Sequence, residues 1–233
     1  MEKSKTSLRT PAISFVASEL VLGVFIQLLG GDIKRVLCFL SILISFVFSL
    51  IIIDKSTKSV TTSVALFFTL ISDALLVLVT PPVRTVAMLS FSMVQICYFL
   101  RLYLNTTSVK QRRIHLIVRC IAILVLIFAC VVVLGGSCDL LSIISVFYFA
   151  NLLTNLMFAF AERGESPLFP IGLLLFALCD IFVGFSVMSQ LYFEFTEGTF
   201  LYYIANPEID LAWLFYVPSQ TLIPLSLIKG KLH

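Results

Sequence analysis

Histidine is nearly missing from this chain. The two present are His115, beside Arg112 and Arg113 at the entrance of an apolar run, and His233, the last residue. A zinc hydrolase of the membrane ceramidase kind needs several histidines inside its bundle, and Ser-His-Asp catalysis needs one, so both classes are excluded. Every lysine sits at a loop or terminus, which excludes a Schiff base within a membrane helix. Walker and Rossmann glycine patterns are absent, as is any CxxC pair. The six cysteines (Cys38, Cys97, Cys120, Cys130, Cys138 and Cys179) mostly lie within apolar runs and read as buried thiols packing as small hydrophobes. No metal or cofactor is expected. Charge is scarce too, with 12% Asp, Glu, Lys and Arg against about 25% in soluble domains. The basic residues stand in short loops, so the net charge of +3 does not point to nucleic acid.

What fills the chain instead is apolar: 60% of its 233 residues, with a mean hydropathy of +1.08. A helix needs about 20 mostly apolar residues to cross a bilayer core. Eight segments qualify: 11–30, 34–53, 59–80, 84–104, 114–134, 139–161, 167–189 and 209–228. They are separated by turn-forming breaks such as Gly30-Gly31-Asp32, Pro81-Pro82 and Gly135-Gly136-Ser137. No linker has room for a separate soluble domain, so residues 1–233 read as one all-α integral membrane domain. Glu19 interrupts the first apolar stretch and no small-residue cleavage site follows it, so this segment reads as a retained helix rather than a signal peptide.

Lysine and arginine set the expected orientation. One side collects Lys3, Lys5, Arg9, Lys55, Lys58, Lys110, Arg112, Arg113, Arg163, Lys229 and Lys231; the other has Lys34, Arg35 and Arg84. Both termini should face the cytoplasm, with the acidic loop 190–208 outside. Arg101 and Arg119 lie within helix ends, where Arg101 is expected to snorkel to the headgroups.

Carboxylates are the groups left for acid–base work. Asp180 interrupts the run Phe176 to Gly184 (FALCDIFVG), and Asp73 closes Leu66 to Asp73 (LFFTLISD). A carboxyl group in such surroundings is costly unless paired, hydrated or protonated. Each of these helices is followed by one with an aromatic four residues before a glutamine: Phe91 before Gln95, and Tyr216 before Gln220. That correspondence suggests a parallel four-plus-four internal repeat. Both aspartates lie roughly 20 Å from the cytoplasmic edge, and both glutamines roughly 16 Å from the outer edge. Glu19, Asn151 and Asn155 fall near the same level. Amides there are also common as plain helix-to-helix glue. Two acids facing one chamber would instead contest one proton, the arrangement that proton-transfer chemistry uses.

The elements Ser72-Asp73, Phe91 to Tyr98 (FSMVQICY), Leu178-Cys179-Asp180 and Phe215 to Ser226 (FYVPSQTLIPLS) resemble those of the YhhN-type lysoplasmalogenase family. The resemblance covers the whole chain in topology. It departs at Gln95, where many members carry histidine, at Cys179, where a small residue such as serine is usual, and at Pro218 and Pro224 in the last helix. It implies hydrolysis of the vinyl ether bond of a lysophospholipid to a fatty aldehyde and a glycerophospho-base, with membrane lipids as partners. Asp73 and Asp180 would be the catalytic acids. Gln95, Asn151, Tyr216 and Gln220 are candidates for orienting water and substrate oxygens, with Glu19 as a supporting carboxylate. The short loops suggest a bacterial cytoplasmic membrane. Two other readings stay open: a small proton-coupled transporter, favoured by parallel repeats and a proline-broken helix, and a lipid-binding protein that has lost its chemistry.

Overall fold

The computed structural model describes residues 3–162, 164–207 and 209–228, with side chains from Leu8 onward. Lys3, Lys5, Arg163, Lys229, Lys231 and His233, which bear on the orientation and the histidine count, lie outside the described side chains. The described residues form nine α-helices: α1 (Lys3–Leu28), α2 (Gly31–Ile51), α3 (Thr57–Asp73), α4 (Arg84–Asn105), α5 (Val109–Leu134), α6 (Leu140–Ala161), α7 (Leu168–Leu191), α8 (Phe200–Ala205) and α9 (Leu211–Leu225). The chain is an all-helical, multi-pass membrane protein.

Seven of these helices are long and apolar enough to cross a bilayer. The last is not: α9 has 15 residues, about 22 Å against a hydrocarbon core of about 30 Å. It stays continuous through Pro218, although that residue supplies no backbone N–H. The expected outer loop contains a helix that periodicity did not reveal, the six-residue α8. The expected third span also ends differently. Regular α-geometry stops at Asp73, and Ala74–Leu78 continue as a π-helical turn. Arg35 closes that turn, donating from Nε to the Val77 carbonyl at 2.6 Å and from a terminal nitrogen to Thr80 Oγ1 at 2.6 Å.

Lipid tails are as apolar as leucine, so helices in a bilayer associate through close packing and hydrogen bonds rather than by apolar burial. The sequence of α2 is built for this. Ser41, Ser45 and Ser49 recur every four residues on its buried face, while Val36, Leu40, Val47 and Leu50 point outward. α3 buries Ser59, Thr62, Ser63, Thr69 and Ser72 in the same manner. The most extensive packing is between α3 and α4 and between α7 and α9, followed by α4 with α6 and α5 with α6. Gly172 sets the α7–α9 approach, since a Cβ there would lie 2.8 Å from Ile223 Cγ1. α5 is the peripheral helix; only His115 and Arg119 of it are buried.

Arg101 does not snorkel. It is fully buried, stacks over the Phe169 ring at 3.6 Å, and donates to Glu165 (2.8 Å), Thr62 Oγ1 (2.9 Å) and Ser226 Oγ (2.9 Å). Lys58 reaches the other Glu165 oxygen at 2.9 Å. Guanidinium is always charged, so once enclosed by α3, α4, α7 and the end of α9 it requires its counter-ion. The cysteine expectation holds in part: Cys38, Cys97 and Cys179 are buried, whereas Cys120 is exposed and Cys130 and Cys138 are half-buried. These last three belong to or adjoin lipid-facing α5, where a thiol needs no pocket.

Glu165→Ala should therefore leave Arg101 buried without a counter-ion and cost about 3–5 kcal/mol. Thermal unfolding of the purified variant in detergent checks this; an unchanged transition would contradict the assigned role.

Candidate functional site

Six of the seven polar residues expected at one level fall into four clusters, and Gln220 stands outside them. Asp73, at the α-to-π transition of α3, is buried, and its Oδ2 accepts from the Tyr216 hydroxyl of α9 at 2.7 Å. A π-turn re-aims the side chains around it and recurs at functional positions in helices. Asp180, midway along α7 and half-buried, accepts through Oδ2 from the Tyr148 hydroxyl of α6 at 2.5 Å. Each acid is thus held by a tyrosine from a different helix.

The two pairs are joined by a wall of rings. Phe176, fully buried on α7, lies 5.4 Å from the Tyr216 ring and 6.4 Å from the Tyr148 ring, centroid to centroid. Phe91 adds contacts to Phe176 (6.1 Å) and Tyr148 (5.7 Å), and Trp213 packs edge-on against Tyr216 at 5.1 Å. Two acids, two hydroxyls and an aromatic partition form one neighbourhood inside the bundle.

The other expected residues divide between it and two separate clamps. Glu19 of α1 accepts from Ser41 Oγ (2.5 Å) and Ser45 Oγ (3.3 Å) of α2 and belongs to that helix pair. Asn151 and Asn155 accept through their amide oxygens from the guanidinium of Arg119, which also lies over the Phe99 ring at 4.3 Å. Asn155 in turn donates to the main-chain carbonyl of Gln95 (2.9 Å) and to its Oε1 (3.0 Å). Asn151 and Gln95 thus join the Arg119 cluster rather than the acid pair. Gln220 differs from all of these: it is fully buried, and neither amide atom has a protein hydrogen-bond partner among the described residues. Ser219 Oγ beside it and Tyr98 Oη are also buried and unpartnered.

Buried polar atoms are nearly always satisfied, by protein or by small molecules. Those of Gln220 and Ser219 are therefore free to serve a water or substrate oxygen next to Tyr216. Sequence reasoning passed over Tyr148, although it stands on the same helix as Asn151 and Asn155. It also read Arg119 as a helix-end cation. The i, i+4 spacing of Asn151 and Asn155 was the available signal for a shared ligand.

Toward one end of the bundle a cleft of about 730 Å³ lies between the end of α1, the start of α2, the second half of α7 and the α8–α9 connection. Phe182, Val183 and Ala212 form part of its lining, together with Lys34 and Asp210.

A multi-pass helical membrane protein with two tyrosine-held acids in its interior is the class so defined. The chain belongs to the YhhN family, which matches over residues 33–227. No curated protein and no solved structure matches it.

The Gln220 amide makes no bond that holds helices together. Gln220→Leu should unfold within about 1 kcal/mol of the parent protein, or later, because an unmatched buried amide is exchanged for an apolar group. A loss above about 2 kcal/mol in detergent melts would show that the amide is structural.

Proposed function

We propose that this protein is a membrane-embedded hydrolase of the lysoplasmalogenase type, cleaving the vinyl ether bond of a lysophospholipid. The observation that carries the reading is the pair of interior carboxyls, Asp73 and Asp180, each held by a tyrosine hydroxyl, with Phe176 packed against both tyrosine rings. Membership of the YhhN family is consistent with it.

The chemistry calls for what such a pair can supply. A protonated carboxyl delivers its proton to the vinyl carbon remote from the ether oxygen, leaving an oxocarbenium ion. The second carboxyl, ionised, stabilises that cation and takes a proton from the attacking water, as carboxylate pairs do in glycoside hydrolysis. The hemiacetal so formed collapses to the fatty aldehyde and the glycerophospho-base. Asp73 and Asp180 divide these two roles. Tyr216 and Tyr148 fix their orientation, and Gln220 holds the water. The aromatic wall of Phe176, Phe91 and Trp213 suits a passing cation, since ring faces are electron-rich.

The wider arrangement follows the same reading. α9 completes an eighth, shortened crossing. The fold is two four-helix halves in parallel, α1–α4 and α5–α7 with α9, with both termini on the cytoplasmic side of a bacterial membrane. Matching features support the repeat. α3 with α4 and α7 with α9 are the closest pairs, and α4 meets α6 as α2 meets α9. Glu19 of α1 is gripped by Ser41 and Ser45 of α2, while Arg119 of α5 is gripped by Asn151 and Asn155 of α6.

Asp73→Asn and Asp180→Asn should each abolish aldehyde release from a lysoplasmalogen in detergent, with insertion and folding preserved. Tyr148→Phe and Tyr216→Phe should retain activity reduced by about 10–100-fold, within the range that positioned acid–base groups contribute. Ester lysophospholipids serve as the control. Turnover by either asparagine variant at the parent rate would refute the proposal, and proton-coupled uptake into proteoliposomes without aldehyde release would favour a carrier.

A further inference from the structure

The cleft between α1, α2, α7 and the α8–α9 connection carries an ion pair that the proposed chemistry does not use. Lys34, in the first turn of α2, donates from Nζ to Asp210 Oδ2 at 2.7 Å, and the two side chains are 26% and 30% exposed. Asp210 is fixed from several sides. It caps α9 by accepting from the Trp213 N–H at 3.2 Å, and its carbonyl accepts from Gln27 Nε2 at 3.0 Å. A cation and an anion are thus presented side by side on the wall of a 730 Å³ cleft whose remaining lining includes Phe182, Val183 and Val187.

Two helices run from the cleft lining to the acid pairs. Tyr216, which holds Asp73, follows Asp210 by six residues on α9, about 9 Å along the helix axis. Val183 follows Asp180 by three residues on α7, about 4.5 Å. Asp210 thus stands less than two helical turns along α9 from the tyrosine that holds Asp73, a span of the order of the phosphate-to-ether distance in a lysophospholipid.

We propose that Lys34 and Asp210 form the headgroup site, taking a zwitterionic phospho-amine headgroup with the phosphate on the Lys34 ammonium and the headgroup ammonium on the Asp210 carboxylate. The protein's own ion pair opens, and two pairs of the same kind replace it. The glycerol then reaches past Ala212 toward the acids, and the chain leaves along the apolar side of Phe182 and Val183. The choice of ligand class rests on the lysophospholipid reading above; the location and charge logic rest on the cleft.

Trp213 is the chain's single tryptophan. It directly follows the cleft residue Ala212 and touches Tyr216, so its fluorescence reports occupancy without turnover. The probe is a saturated 1-O-alkyl lysophosphoethanolamine, which has no vinyl ether to cleave. It should shift Trp213 emission saturably. The matching alkylglycerol, lacking phosphate and amine, should bind at least about tenfold more weakly. Lys34→Gln should lower affinity for the phosphate-bearing probe about tenfold, with Lys34→Arg restoring it. Asp210→Asn keeps a capping side chain and should remove only the preference for the amine-bearing probe over an alkyl lysophosphatidic acid. Soluble phosphoethanolamine should compete only weakly, separating a lipid site from a free phospho-amine site. Equal affinity of Lys34→Gln and parent, or of alkylglycerol and probe, overturns the assignment. Binding as expected without aldehyde release from a lysoplasmalogen would leave this site standing and remove the hydrolase reading instead.

Discussion

A carboxyl group inside a membrane bundle persists only if something there answers its hydrogen-bonding needs. In this protein the answer is a tyrosine from another helix. Tyr216 ties α9 to α3 through Asp73, and Tyr148 ties α6 to α7 through Asp180. Removing a hydroxyl would leave a buried acid short of a partner, a cost of several kcal/mol in an apolar setting. These two bonds therefore hold four helices while they aim two acids. α9, too short to be fixed by the bilayer alone, gains its position from Tyr216, from the Gly172–Ile223 approach and from the Asp210 cap.

Other polar groups in the interior serve architecture and are kept apart from the acids. Arg101, Glu165 and Lys58 knot one end of the bundle. Arg119 is clamped by two asparagines and an aromatic ring, and Glu19 by two serines. Single buried atoms of the clamps, Gln95 Nε2, Arg119 Nε and Arg101 Nε, lack hydrogen-bond partners among the described residues, but beside Tyr216, which holds Asp73, it is the whole Gln220 amide and the Ser219 hydroxyl that do. Surplus capacity beside aligned acids suits a water and a substrate oxygen.

Much of this was legible in the sequence. Long apolar runs and turn residues located seven long helices, because bilayer thickness bounds their length, though α1 and α5 begin eight and five residues before the expected spans and the eighth is a helix of 15 residues. The aspartates stood out because a carboxyl in an apolar run is expensive, and Tyr216 because its spacing to Gln220 echoes that of Phe91 to Gln95. Tyr148 was hidden: a tyrosine in a run of aromatics costs little to bury and so carries no signal until its partner is known. The same holds for the π-turn after Asp73 and for α8, which no periodicity announces. Arg101 misled for the opposite reason. Its distance from the helix end suited a snorkelling arginine, and only the fold shows that Glu165, from a loop 64 residues on, comes to meet it. Depth placed seven polar groups at one level, yet depth does not specify azimuth, and azimuth separates the acid pair from the Glu19 and Arg119 clamps.

The measurement that bears most directly on the central claim is the solvent isotope effect on aldehyde release from a vinyl ether lysophospholipid. If an interior carboxyl gives its proton to carbon in the slow step, turnover falls when water is replaced by deuterium oxide, and the aldehyde carries one deuterium on the carbon next to its carbonyl. Equal rates in the two solvents would mean that proton delivery from Asp73 or Asp180 does not set the pace, and the account of why these acids are held as they are would fail.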